Sequence, residues 1–276
     1  MNITVIPNTK TADGKKAFLQ VQQALSAMNV TVAVPHDEAF PPQDMAELIK
    51  TCDIVIAIGG DGTIIHTAKS AAAFGKPVLG INSGRLGFTA GLELSELSEL
   101  NRLISGDYDI EERMLLDILV DGENGTEQYS ALNEAVISRG ALSRMIEVSV
   151  KNGQKPVSTY QADGVIVATP TGSTAYSLSA GGPIVDTALR CLLLTPVCPH
   201  SLHSRPYIFD QNAVLTLTPE RSESSVFVTV DGEAAIRIAE GGEVRVRRSD
   251  TCAKLIKLKQ KSFYQVLDDK LTNRKG

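Results

Sequence analysis

Residues 53–63 read Asp-Ile-Val-Ile-Ala-Ile-Gly-Gly-Asp-Gly-Thr, and this stretch decides the fold of the first part of the chain. Four of the five residues at 54–58 are β-branched, which is typical of a parallel strand buried on both faces. The strand is expected to end at Gly59. A helix-forming segment begins at Ile64, so the pattern predicts a strand, a glycine-rich turn and a helix.

The glycine-rich turn has the composition of an anion site. Glycines at 59, 60 and 62 let backbone amides approach a phosphate, and the free N–H groups of the following helix point to the same place. Asp61 stands among these glycines, where repulsion from a phosphate would be costly. Two interpretations stay open. The segment is only a turn with Thr63 as the helix N-cap, or Asp61 takes a proton from a substrate hydroxyl or holds Mg²⁺.

The first hundred residues alternate between predicted strands and predicted helices. The strands are residues 3–6, 30–34, 54–59 and 77–81, and the helices are residues 15–28, 42–50, 64–73 and 94–104. This alternation predicts an open, Rossmann-like parallel sheet with helices on both faces and ligands at the carboxyl ends of its strands. Two glycine-rich loops, residues 59–63 and 82–88, follow such strand ends.

The second half of the chain changes to a period of two from about residue 111. Short β-rich runs alternate there with turn signals at residues 121–122, 124–125, 152–153, 231–232 and 241–242. The predicted fold class is therefore α/β plus all-β. An N-terminal α/β domain spans residues 1–108 and a β-sandwich-like domain spans residues 109–260, with the active site between them. The tail, residues 261–276, returns to the first domain or frays.

Composition narrows the class of partner. The chain has 276 residues, 43% of them hydrophobic and 21% charged, with a net charge of -5. These values are typical of a folded, soluble protein and argue against a nucleic-acid partner. The N-terminus lacks the pattern of a signal peptide, and no apolar run nears the length of a membrane span, so we expect a cytoplasmic protein without a membrane partner. The scattered cysteines and histidines predict no metal site made by the protein alone.

Three further features carry chemistry. Residues 162–183 run from a strand into a loop of small hydroxyl and glycine residues, which suits contact with a base, ribose or phosphate and equally suits a tight, well-capped loop. Asn133 and Glu134 can clamp a ribose diol or form an ordinary surface pair. His66, on the helix after the glycine turn, faces a ligand, solvent or the packed interior.

Taken in order, these motifs resemble the NAD kinases over nearly the whole chain. They are Gly-Gly-Asp-Gly-Thr at residues 59–63, Leu-Gly-Phe at 86–88, Asn-Glu at 133–134, and Asp-Gly followed by Thr-Pro-Thr-Gly-Ser-Thr-Ala-Tyr-Ser-Leu-Ser-Ala-Gly-Gly-Pro within 163–183. Single motifs are shared with diacylglycerol, sphingosine and 6-phosphofructo kinases. The string at residues 169–183 is the specific one.

The resemblance implies transfer of the γ-phosphate of ATP, or of phosphate from inorganic polyphosphate, to the 2′-hydroxyl of the adenosine ribose of NAD, with Mg²⁺ or another divalent cation as cofactor. It makes Asp61 the catalytic proton acceptor. The donor-phosphate and other ligand positions that it implies are Gly59, Gly60, Gly62, Thr63, His66 and Phe88. Those around the dinucleotide are Asn133, Glu134, Arg144, Gln161, Asp163, Thr174, Ala175, Tyr176, Ser177, Leu178, Ser179 and Glu233.

Two of these positions depart from the family pattern. Gln161 stands where a basic residue or histidine is frequent, and Glu233 stands where glutamine is frequent; both changes are expected to affect affinity for NAD or inhibition by NADP. The resemblance also implies a homo-oligomer, a dimer or tetramer, in which Asp163 reaches a neighbouring subunit's site. Two rival functions stay open: a lipid or sugar kinase of the same superfamily, and a dinucleotide sensor without catalysis.

Overall fold

The computed structural model describes residues 1–35, 42–84, 87–140, 145–220, 225–233, 235–258 and 262–272. The chain forms two compact units, residues 1–113 with 251–276, and residues 114–250. The chain passes between them at residues 113–114 and 250–251.

The first unit alternates strands and helices as predicted. Its elements up to residue 105 are β1 (Asn2–Pro7), α1 (Ala12–Ser26), β2 (Thr31–Ala33), α2 (Pro42–Thr51), β3 (Ile54–Gly59), α3 (Asp61–Ala72), β4 (Pro77–Asn82), β5 (Leu92–Glu93), a 3-10 helix (Leu94–Glu99) and α4 (Leu100–Ser105). The strands β2, β1, β3 and β4 lie side by side in that order, all parallel. The predicted parallel α/β sheet is confirmed. Residues 94–104, predicted as one helix, form a 3-10 turn followed by a short α-helix.

The remaining elements are almost all strands. They are β6 (Asp109–Gly122), β7 (Gly125–Ala131), β8 (Glu134–Arg139), β9 (Ile146–Asn152), β10 (Lys155–Ala162), β11 (Gly164–Ala168), a 3-10 turn (Gly172–Thr174), α5 (Tyr176–Ser179), β12 (Cys191–Val197), β13 (Tyr207–Asp210), β14 (Val214–Pro219), β15 (Val226–Val230), β16 (Ile236–Arg237), β17 (Val244–Lys257) and α6 (Phe263–Thr272). The predicted turns at 121–125, 152–153 and 231–232 each connect two of these strands.

The second unit is an antiparallel sandwich, as predicted. In one layer β10, β9, β14 and β17 are neighbours, and in the other β13, β12, β11, β8, β15 and β16 follow one another. The inward-facing residues of both layers form one buried apolar cluster, because alternate side chains of each strand point to the same face.

The units differ from the predicted domains in their limits. The first unit extends to Arg113 and also includes the chain from Thr251 onward. The end of β17 belongs to this unit because its residues Lys254 and Leu255 pair with β4. Buried Ile256 and Leu258 complete the apolar cluster under the parallel sheet. Helix α6 belongs to the same unit. Within the described ranges, none of the helices has both the length and the apolar composition that crossing a membrane requires.

The glycine just before β5 tests the return of the chain to the first unit. A Cβ at Gly91 would clash with the backbone carbonyl oxygen of Ile256, which cannot rotate away. We expect Gly91→Ala to lower the free energy of unfolding by about 1–3 kcal/mol, measured by urea denaturation. Gly84→Ala is the control, because no atom of the described residues lies within 4 Å of a Cβ there. Equal stability of the two variants would contradict the prediction.

Candidate active site

The turn after β3 places Asp61 at the start of a helix. All six residues of β3 are buried. Gly60 is extended, with φ -83° and ψ -179°, and is the N-cap of α3, which begins at Asp61. The helix therefore starts three residues earlier than the sequence predicted, and the interpretation of Thr63 as N-cap is wrong. No side chain caps this end among the described residues, so the first amides of α3 stay available to an anion.

The three glycines of the turn differ in the space that is available for a side chain. A Cβ at Gly59 would lie 2.5 Å from Thr63 Oγ1, so packing against the helix requires glycine there. At Gly60 and Gly62 no atom of the described residues lies within 4 Å of a Cβ, and neither φ is positive. Their backbone faces open space, which leaves room for a ligand to approach.

The Asp61 carboxylate is held from the loop after β4. It accepts hydrogen bonds from the Phe88 amide at 3.2 Å, the Thr89 amide at 3.1 Å and the Thr89 hydroxyl at 2.6 Å. A Cβ at Gly87 would overlap the same carboxylate, so only glycine allows the loop this close. Thr89 is 3% exposed, whereas the Asp61 side chain is 34% exposed. The carboxylate is thus fixed by three hydrogen bonds, while about a third of the side chain stays exposed.

These contacts set the charge of Asp61. Burial raises the pKa of its carboxyl, but the Thr89 hydroxyl, the Lys270 ammonium and the two amides outweigh burial, and the pKa lies below its ordinary value. Lys270 belongs to α6, and its Nζ lies 3.4 Å from Asp61 Oδ2. Asp61 is therefore ionised at neutral pH.

His66 lies on α3, exposed, at the rim of a cavity of about 930 Å³. The cavity is lined by Ile6, Pro7, Asn8, Thr9, Lys10, Lys15, Phe18, Leu19, Pro35, Met45, Gly62, Thr63, His66 and Thr67. Apolar side chains and two lysines thus line a cavity that the first two turns of α3 also line. The Thr67 hydroxyl is buried and has no hydrogen-bond partner among the described residues.

In the second unit, one carboxylate positions the segment that carries Asn133 and Glu134. Asp231 accepts hydrogen bonds from three consecutive amides, those of Leu132, Asn133 and Glu134, at 2.8, 2.8 and 3.0 Å. Asp231 has a positive φ of 50°, and Gly232 follows with 73°, so the tight turn between β15 and β16 aims the carboxylate. The Asp231 amide bonds back to the Glu134 carbonyl at 3.0 Å.

Glu134 is the first residue of β8, and its side chain is buried. Burial raises the pKa of its carboxyl to about 8, the nearby charge of Asp231 adds to this rise, and the Tyr176 amide opposes it. Its Oε2 atom has no hydrogen-bond partner among the described residues. A neutral carboxyl can both donate and accept a hydrogen bond, which suits a hydroxyl-bearing ligand.

The loop at residues 169–183 uses many of its hydroxyls internally. Thr169 donates to the Leu132 carbonyl at 2.6 Å, Ser173 donates to the Pro170 carbonyl at 2.6 Å, and buried Ser177 pairs with Thr195 at 2.9 Å. These side chains hold the loop in place, as in the interpretation of a well-capped loop. At residues 174–179, by contrast, Thr174, Ala175 and Leu178 are half-buried, and Tyr176 and Ser179 are exposed.

A close backbone contact joins this loop to Asn133. The Thr169 amide donates to the Asn133 carbonyl at 2.8 Å, and a Cβ at Gly172 would overlap that carbonyl. The structure thus brings Asn133, Glu134 and the 169–179 loop together.

The other predicted residues of this unit lie outside that cluster of contacts. Asp163 pairs with Arg139 at 2.8 Å, both about one-third exposed. Gln161 donates to Glu147 at 3.0 Å on the surface of β10. Glu233 is exposed in the turn after Asp231. Arg144 lies outside the described residues.

Sequence reasoning missed three residues that act on these groups: Thr89, Asp231 and Lys270. Thr89 follows the Leu-Gly-Phe motif directly, so its nearness to a glycine-rich loop was a usable signal. Asp231 was recognised only as part of a turn. Lys270 had no local signal.

Removal of the Asp231 carboxylate tests its positioning role. Asp231→Ala leaves three amides without their charged acceptor and places alanine at a positive φ, so we expect a loss of about 2–4 kcal/mol in the free energy of unfolding. Asp231→Asn keeps an acceptor and tolerates this φ, so its loss should be smaller. Urea denaturation compares both with exposed Asp250→Ala, and a loss in Asp231→Ala no larger than in this control would refute the role.

The raised pKa of Glu134 predicts a pH dependence of stability. Between its ordinary value of 4.5 and about 8, the folded chain keeps the proton that the unfolded chain releases. Stability therefore falls as pH rises through this window. Glu134→Gln cannot ionise, so its stability relative to the parent should increase with pH across the window, measured as urea midpoints at several pH values. A constant difference would contradict the prediction.

Comparison with known proteins gives consistent matches over both units. The family model for the ATP-NAD kinase N-terminal domain matches residues 3–108, and that for the ATP-NAD kinase C-terminal domain matches residues 132–258. The NAD kinase of Heliobacterium modesticaldum is 45% identical over 84% of this chain and 82% of its own length. The NAD kinase of Natranaerobius thermophilus is 38% identical over 98% of both chains.

Two solved structures share the fold. The yeast NADH kinase complexed with NADH aligns over 100% of this chain and 88% of its own, with a TM-score of 0.88 and 24% identity. An NAD kinase from Archaeoglobus fulgidus in complex with ATP aligns over 99% of both chains, with a TM-score of 0.79 and 25% identity. Both family models and relatives of this identity and coverage agree, and the chain belongs to the NAD kinase family.

Proposed function

We propose that the chain transfers the γ-phosphate of ATP to the 2′-hydroxyl of the adenosine ribose of NAD and so forms NADP. The observation that carries the proposal is the setting of Asp61. An ionised carboxylate, about one-third exposed, stands at the N-terminus of α3, beside two glycines whose backbone is open to a ligand.

In this proposal Asp61 is the proton acceptor. An alcohol is a poor nucleophile until a nearby carboxylate takes its proton as the phosphoryl group arrives. The hydrogen bonds from Phe88 and Thr89 fix the carboxylate, and about a third of the side chain stays exposed. Because its pKa lies below the ordinary value, Asp61 is in the basic form over the physiological range.

The first unit also offers a place for the donor. The free amides at the start of α3 suit the phosphates, and the adjoining cavity has apolar walls and two lysines, Lys10 and Lys15. The related Archaeoglobus enzyme was solved in complex with ATP, which supports this donor. Use of inorganic polyphosphate stays a prediction.

For the dinucleotide we propose the segment held by Asp231 and the loop at 174–179. The buried Glu134 carboxyl would hydrogen-bond a ribose hydroxyl through Oε2, which lacks a partner among the described residues. The related yeast enzyme was solved with NADH. The ligand roles of Asn133, Arg144, Gln161, Asp163, Ser177 and Glu233 stay predictions; for Ser177, its burial and its bond to Thr195 favour a structural role instead.

The proposal includes a divalent cation. The described residues contain no group of three His, Cys, Asp or Glu side chains suited to a metal ion. Mg²⁺ commonly takes its ligands from substrate phosphates and water, and this mode of binding fits a site with so few protein ligands. When bound, the cation neutralises phosphate charge. The homo-oligomer and the cytoplasmic location stay predictions.

Replacement of Asp61 tests the proposed base. Asp61→Asn keeps the shape of the side chain but cannot accept the proton, so we expect NADP formation from NAD and ATP to fall by about 10²–10⁴-fold. Binding of NAD, measured by calorimetry, should be retained. The exposed-site variant Asp250→Asn serves as control and should turn over like the parent.

Three outcomes would overturn the proposal. Unchanged turnover in Asp61→Asn would remove the base role. A parent that binds NAD tightly but forms no NADP would favour the sensor. Phosphorylation of diacylglycerol or fructose 6-phosphate in place of NAD would favour the lipid or sugar kinase.

A further inference from the structure

The C-terminal helix brings a cation to the catalytic carboxylate. Lys270, near the end of α6, places its Nζ 3.4 Å from Asp61 Oδ2 and 4.2 Å from the centre of the Phe88 ring. Its side chain is only 25% exposed. We propose that Lys270 is a positioning residue, which ties α6 to the site and holds the Asp61 carboxylate in place for proton transfer. This inference rests on the proposed function of Asp61.

The aromatic contact makes the pairing specific. Phe88 donates its amide to Asp61 and presents its ring to the Lys270 ammonium. One residue therefore holds both members of the ion pair. A lysine side chain loses much conformational entropy in such a pair, and the ring offsets part of that loss by attracting the cation.

Among the described residues, Lys270 is the cation that forms an ion pair with Asp61. The charge of Asp61 also acts on Lys257 of β17, but the Nζ of Lys257 lies 3.8 Å from Glu111 and 3.4 Å from the Ala90 carbonyl. Burial and the charge of Arg113 lower the pKa of Lys257, against the opposing effect of Glu111 and Asp61. Lys257 thus forms its ion pair with Glu111, whereas Lys270 forms its ion pair with Asp61.

Charge and side-chain length can be separated by two substitutions. Lys270→Met keeps the apolar stem and removes the ammonium, while Lys270→Arg keeps a charge that can pair with a carboxylate and stack on a ring. Lys50→Met, at an exposed position of α2 in the same unit, removes one positive charge elsewhere and is the matched control.

Steady-state kinetics of NADP formation give the first readout. Because the pair is partly buried, we expect Lys270→Met to lower kcat by about three- to tenfold with the KM for NAD unchanged. The acid limb of kcat/KM should move to higher pH, since loss of the ammonium raises the pKa of Asp61. Lys270→Arg should recover most of kcat, and Lys50→Met should match the parent. Kinetics of Lys270→Met equal to those of Lys50→Met would overturn the proposal.

A double-mutant cycle on stability gives a second readout that needs no activity. Lys270→Met should lower the urea midpoint more in the parent than in the Asp61→Asn background, because the ion pair is already absent there and only the contact with the Phe88 ring is lost. An equal effect in both backgrounds would overturn the pairing. A parent that forms no NADP would instead refute the proposed function, while the cycle would still decide the pairing of Lys270 with Asp61.

Discussion

The first unit depends on a carboxylate at the point where β3 ends and α3 begins. A helix N-terminus attracts negative charge, so Asp61 is electrostatically favoured there, yet the same amides are the natural ligands of a phosphate. In the structure Asp61 and a phosphate would not compete for the same amides. The Asp61 carboxylate accepts its hydrogen bonds from Phe88 and Thr89, and glycine at 87 allows the loop after β4 to come close enough to donate them. The amides of the turn remain open because Gly60 and Gly62 carry no side chain.

In the second unit a carboxylate also accepts hydrogen bonds from backbone amides. The Asp231 carboxylate accepts hydrogen bonds from three amides and so fixes the backbone of residues 132–134. Its negative charge, added to burial, helps to keep neighbouring Glu134 protonated. The chain therefore contains two candidate site carboxyl groups in opposite states, an ionised Asp61 and a neutral Glu134, and their surroundings make the difference.

Local features of the sequence predicted the fold and part of the site, whereas features that depend on distant contacts were not predictable. The β-branched run before Gly59 and the turn glycines are adjacent in sequence, so their pattern predicts a strand that ends at a turn suited to an anion. Lys270 is 209 residues from Asp61, and Asp231 is 98 residues from Asn133. Such pairs are brought together only by tertiary packing. The burial of individual side chains could not be predicted from the sequence either. Ser179 is exposed, whereas Ser177 is buried and hydrogen-bonded to Thr195, and the composition of the loop does not distinguish them.

As the proposed proton acceptor, Asp61 is a weak base because its pKa lies below the ordinary value, and a weak base suits the proposed reaction. The transition state of phosphoryl transfer is loose, with little bond formation to the attacking oxygen, so the hydroxyl becomes strongly acidic only late in the transfer. Under those conditions correct placement of the acceptor matters more than its basicity. Hydrogen bonds and a nearby ammonium weaken Asp61 as a base, but they also fix its position and keep it ionised. The contacts around Asp61 thus exchange proton affinity, which this reaction needs little, for orientation, which it needs throughout.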